Sequence, residues 1–142
     1  MENQFVTKYQ SICLKDLGFE EPCLGYWRNE NLPKPITICK YTTKEDMEYE
    51  VNNQDEHHNF KNIIALAPLF QQVFDWFREK HNLNGVVHYY NNLKKWGFSV
   101  YSLEMNGKEY IEFTKKEDRS IKFDSFHDAR LECVNELIRR IK

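Results

Sequence analysis

Apolar positions repeat along this chain with two periods, and the switches between them outline its elements. Phe5, Val6, Tyr9, Ile12, Cys13 and Leu17 share one face of a 3.6-residue period, while Lys8, Gln10 and Lys15 fall outside it. That spacing predicts a helix over 3–17, closed by Gly18 as a left-handed residue, with Phe19 packing back on Leu14. Two strands are expected next, Cys23–Arg28 and Ile36–Thr42, joined by a loose connection that carries Pro33 and Pro35. From 43 to 62 the chain offers Glu45, Asp46, Glu48, Glu50, Asp55 and Glu56 and little to bury, which predicts a long, mobile acidic surface loop.

The helical period returns after Ala67. Pro68 suits a first helical turn, Leu69, Phe70, Val73, Phe74 and Phe77 form an apolar stripe, and Trp76 flanks it. Gln71, Gln72, Asp75, Arg78 and Glu79 are expected to face water, and Asn82 to end the helix. Residues 86–90 then read as a strand with a turn starting at Asn91-Asn92. Over 96–105 the pattern alternates, with Trp96, Phe98 and Val100 on one face and Ser99, Tyr101 and Leu103 on the other. Asn106-Gly107 is a hairpin signal, and 110–114 returns as a strand with Ile111 and Phe113 on one face. Ser125 caps a last helix whose core face is Ala129, Cys133, Val134, Leu137, Ile138 and Ile141, and Arg139, Arg140 and Lys142 suit its negative end. The order α-β-β-α-β-β-β-α predicts an α+β fold, an antiparallel sheet with helices mainly on one face. Its 142 residues are expected to form a single domain spanning 1–142.

Charge narrows the function. The net charge of −2 gives no general attraction to a polyanion or an anionic membrane. Its distribution is uneven: residues 1–66 hold eleven acids and seven bases, residues 94–142 nine acids and eleven bases. No run approaches the ~20 apolar residues of a membrane span, and the N-terminus lacks a signal-peptide core, so a soluble cytoplasmic protein without a membrane partner is expected. Cys13, Cys23, Cys39 and Cys133 form no Cys-x-x-Cys pair and read as reduced thiols, Cys13 and Cys133 on helix stripes.

Chemistry-bearing motifs are sparse. His57-His58 follows Asp55 and Glu56, but neighbours in an extended segment point to opposite faces, so no metal site is assigned. No Gly-x-Ser-x-Gly elbow or phosphate-cradling glycine loop occurs, and no catalytic residue or cofactor is assigned. The aromatic content, 15% of the chain, is the informative excess. Lys94, Lys95 and Trp96 set two cations beside an indole at a hairpin tip, with Tyr89 and Tyr101 on the flanking strands. A tip kept wet by charge is the simpler account of the lysines; contact with a phosphate, and a base stacked on Trp96, is the sharper one. These five residues are the candidate partner- or ligand-binding set.

Residues 68–141 run in the element order of a double-stranded-RNA-binding domain. The lysine cluster that family sets at its last helix is replaced here by Ser125-Phe-His-Asp-Ala-Arg, and its Gly-Pro-x-His element is missing, so RNA binding is not implied. A wider likeness rests on Leu17-Gly-Phe-Glu-Glu-Pro-Cys-Leu-Gly-Tyr, Ala67-Pro-Leu-Phe-Gln-Gln-Val-Phe-Asp-Trp-Phe-Arg-Glu-Lys and Ser125-Phe-His-Asp-Ala-Arg-Leu-Glu-Cys. In these phrases the chain resembles small uncharacterised proteins of Bacteroides-type gut bacteria and their phages or mobile elements. The resemblance implies an intracellular accessory protein and brings no catalytic residues. The expected function is non-enzymatic binding of a protein partner, with host takeover or anti-defence as the setting that origin suggests. A nucleotide- or nucleic-acid-binding module built on residues around 89–101 is the alternative, disfavoured by the net charge.

Overall fold

The computed structural model describes residues 4–31, 34–42, 63–103, 110–112 and 121–142. The acidic stretch 43–62 with His57 and His58, the Asn106-Gly107 turn and the end of the 110–114 strand lie outside them, as does the side chain of Cys39. The protein is α+β with antiparallel sheets, and the expected elements occur in the expected order, joined by two short strands more. Helix α1 is Lys8–Asp16, followed by β1 (Cys23–Arg28), β2 (Ile36–Thr42) and β3 (Ile63–Ala67). Then come α2 (Phe70–His81), β4 (Leu83–Tyr90), β5 (Lys95–Leu103), β6 (Tyr110–Glu112), β7 (Ile121–Phe123) and α3 (Phe126–Ile141). The chain divides into two compact units, Met1–Gln72 and Val73–Lys142, and the division falls in the first turn of α2.

In the first unit α1 begins later than the apolar spacing predicts. Thr7 Oγ1 accepts from the Gln10 N–H at 3.2 Å while Gln10 Oε1 accepts from the Thr7 N–H at 3.1 Å, a closed capping box that fixes the first turn. Upstream, Phe5 bridges to Leu69 and the Val6 N–H donates to Pro68 O at 3.1 Å, so these two apolar residues serve extended pairing instead. The other end follows expectation. Gly18, at φ 92°, takes the left-handed position, and the Phe19 N–H donates to Leu14 O at 2.9 Å. Strand β1 lies between β2 and β3 and pairs antiparallel with both. β3 is unanticipated, because five apolar residues between Asn62 and Pro68 have no polar alternation to mark a strand. Phe5, Trp27 and Ala67 form a core cluster with Leu24 and Leu69 against it, and the buried Trp27 indole donates to Ser11 Oγ at 2.9 Å.

In the second unit β4 and β5 pair along their whole length, from Leu83 opposite Ser102 to Tyr90 opposite Lys95. On the other edge of β5, β6 lies opposite Tyr101, Ser102 and Leu103, and β7 opposite Trp96 and Gly97, the two short strands end to end. Asn82, at φ 54°, is the one residue between α2 and β4. A Cβ at Gly85 would stand 2.9 Å from Phe74 Cε1 of α2, 2.8 Å from Cys133 Sγ and 3.0 Å from Leu137 Cδ1 of α3. Both helices therefore cover the sheet face that carries Gly85 and its pair Val100, as the sequence predicts for the helices. Val73, Phe77, Val100, Val134 and Leu137 are fully buried, each contributing about 1.5–3 kcal/mol.

Candidate functional site

Register on β5 decides which side chains meet. Residues opposite one another in an antiparallel pair share a face, so Tyr89, Trp96 and Phe123 form one row across β4, β5 and β7. This row lies on the helix-bearing face, four residues along β4 from Gly85, at the end where α3 begins. Ser125 starts that helix, its Oγ accepting from the Asp128 N–H at 3.0 Å, and the first helical residue is Phe126. The Phe126 ring meets Trp96 edge-on at 5.3 Å between centroids, and Tyr89 meets Trp96 at 5.0 Å with the rings tilted by 55°. One helical turn on, the Arg130 guanidinium sits over Phe126 at 5.0 Å. It also donates to His127 Nδ1 at 3.2 Å, which leaves the imidazole proton on Nε2.

The row starts inside the molecule and ends outside it. Phe98, next to Trp96 on the same face, is buried and its ring is 6.1 Å from Phe123. Trp96 is half-buried, whereas Tyr89 is 46% and Phe126 43% exposed, and Leu93 in the 91–94 turn is 55% exposed. Among the described residues, Tyr9 is the other large apolar side chain left open.

Of the five residues singled out from the sequence, Tyr89 and Trp96 are brought into ring contact. Lys94 closes the turn in the left-handed region at φ 52° with its side chain exposed. Lys95 opens β5 and is ion-paired with Asp124, so its charge is already answered. Tyr101 is not part of the cluster. It stands opposite Asn84 and Glu112, five positions from Trp96 and on the other face, about 16 Å along the strand. Phe123, Phe126 and Arg130 belong to the cluster and carried no signal of their own in the sequence. β7 is three residues long, and Phe126 reads there as a member of a capping sequence.

No other described region gathers comparable chemistry. Burial pushes the thiols of Cys23 and Cys133 up to about 12, Glu21 and Glu136 adding to it, so neither is a nucleophile near neutral pH. Among the described residues no group of three or more His, Cys, Asp or Glu could hold a metal ion. No helix among them is long and apolar enough to cross a membrane. No protein-family model matches this chain, and no curated protein or solved structure matches it either.

Proposed function

We propose that this chain is a non-enzymatic binding module of the cytoplasm that engages a protein partner through the aromatic row at the open end of its second sheet. One observation carries the reading: Tyr89, Phe126 and Leu93, around a half-buried Trp96, put large apolar side chains in water at one place. Aromatic side chains backed by a rigid scaffold are what anchors protein interfaces, at about 2 kcal/mol or more each. The reading also fits the buried cysteines Cys13, Cys23 and Cys133, which are thiols and not disulfides and suit a reducing compartment. Host takeover or anti-defence is the setting we propose for it, on the likeness to phage and mobile-element proteins.

The nucleic-acid alternative needs Trp96 as an open stacking plane and Lys94 and Lys95 as phosphate contacts, and of the two lysines Lys94 stays exposed in the turn. Trp96 already has Tyr89 and Phe126 against it, and Lys95 is held by Asp124. The test is affinity capture with the native chain, with Tyr89→Ser/Phe126→Ser, and with Tyr9→Ser as a control far from the row in sequence. A protein retained by the native chain and the control, and lost with the double variant at an unchanged melting curve, is the expected result. Capture that survives the double variant, or a captured species that absorbs at 260 nm in place of protein, overturns the proposal.

A further inference from the structure

Resting on that reading, we infer that the partner binds as an extended strand, added to the open edge of β4 with a large apolar side chain seated against Tyr89. β4 is eight residues long and pairs with β5 in unbroken register. In an antiparallel ladder alternate residues turn both N–H and C=O away from the neighbouring strand, so half of β4 presents these groups on its other side. Among the described residues no strand lies there. Beyond the ladder with β5, the backbone of β4 meets the Cys133 sulfur at the Val86 N–H and the Leu93 N–H at Tyr90 O. Gly85 to His88 are all part-exposed, whereas Gly97 to Val100, their opposites on β5, are all buried. Water therefore reaches β4 from its edge.

The other edges of the two sheets are guarded. β2 follows Pro35 and carries Lys40, and on β3 the Lys15 Nζ donates to Ile64 O at 2.9 Å. β6 and β7 are three residues long each and contain Glu112 and Lys122. β4, Leu-Asn-Gly-Val-Val-His-Tyr-Tyr, has no proline, acid, lysine or arginine. A long, regular, uncharged edge is a template for strand pairing, and main-chain bonds to it fix the occupant's conformation whatever its sequence. Register fixes where one side chain goes. An added residue opposite Tyr89 stands on the same face, next in the row that Tyr89, Trp96 and Phe123 already form. Tyr89, 46% exposed, ends that row at the β4 edge and is the ring such a residue covers. Residues two along the added strand share this face, so its apolar positions alternate.

The probe is a random library of twelve-residue peptides displayed on phage and selected on the full-length protein, with the enriched clones sequenced and remade as labelled peptides. The selected sequences should place aromatic or β-branched residues at every second position. Their affinity should fall about tenfold or more with Tyr89→Ser/Phe126→Ser, at an unchanged melting curve. Backbone N-methylation, moved along the peptide one residue at a time, should weaken binding about tenfold at alternate positions and little between them, since only alternate N–H groups face β4. Hydrogen exchange of the β4 amides should slow on binding at every second residue. N-methylation tolerated throughout, or losses without a period of two, overturns strand addition; the same peptides still lost with Tyr89→Ser/Phe126→Ser leave the protein-binding proposal standing. Enrichment unaffected by that double variant, or no enrichment at all, overturns both. A chain that sediments as a dimer at micromolar concentration, with the β4 amides protected before any peptide is added, gives the edge to a second copy and overturns the inference.

Discussion

Cys23 and Cys133 show how far the environment of one residue decides its chemistry. Cys23 is buried in β1, its thiol donating to Glu21 O at 3.3 Å; Cys133 is buried on the face of α3 that covers Gly85. With both thiols pushed up to about 12, about one molecule in ten thousand carries either thiolate at pH 8. Iodoacetamide at pH 8 should therefore leave both unmodified in the native protein over the hour in which it labels them completely in guanidinium. Peptide mass spectrometry reads the difference site by site, and native labelling of Cys133 at the denatured rate would mean that the α3 core opens readily. The same dependence on surroundings separates Lys94 from Lys95. They are neighbours in sequence, yet one is a turn residue in water and the other half of an ion pair.

At the scale of elements, Gln72 departs most from the helical pattern. The period puts it on the wet side of α2, yet its Oε1 accepts from the Leu69 N–H at 3.0 Å, capping the helix start, and its Nε2 donates to Pro22 O at 2.7 Å. Gln72→Ala should lower the unfolding free energy by about 1–2 kcal/mol in urea, while Glu79→Ala, exposed on the same helix, should stay within about 0.5 kcal/mol. Equal losses would mean that the Gln72 bonds are worth nothing net. What the sequence reveals here is local order. Gly18, Asn82 and Ser125 mark helix ends because their backbone or side-chain chemistry acts within a few residues. β3 escapes notice because a strand of unbroken apolar residues has no period to display. The site was half visible: Tyr89 and Trp96 stand out as aromatics, but Phe123 and Phe126 join them through strand register and a helix start. Tyr101 could have been set aside from the sequence, since an odd spacing from Trp96 puts it on the other face.

For the molecule as a whole, acid is the condition most directly tied to a named group. His81 ends α2 with its ring 4.6 Å from Trp76 and 5.7 Å from Phe77, and burial lowers its pKa below the ordinary 6.5. The unfolded chain then takes up this proton first as the pH falls. The stability linked to His81 is complete above about 6.5 and is lost as the pH descends toward the folded value. Urea midpoints between pH 7.5 and 5 should fall less steeply in His81→Gln than in the native protein, and parallel slopes would remove His81 from the account. Gly85 has a longer reach than its size suggests. Sliding β4 by two residues against β5 keeps every side chain on its proper face, so alternation alone does not forbid it. Such a slide would carry Val87 or Leu83 under Phe74, Cys133 and Leu137, where not even a methyl group has room. The glycine works as the notch of a ratchet, letting the strand seat in one position along its track. That seat is what sets Tyr89 opposite Trp96, so the alignment of a half-exposed aromatic row is decided by a missing methyl in the dry interior.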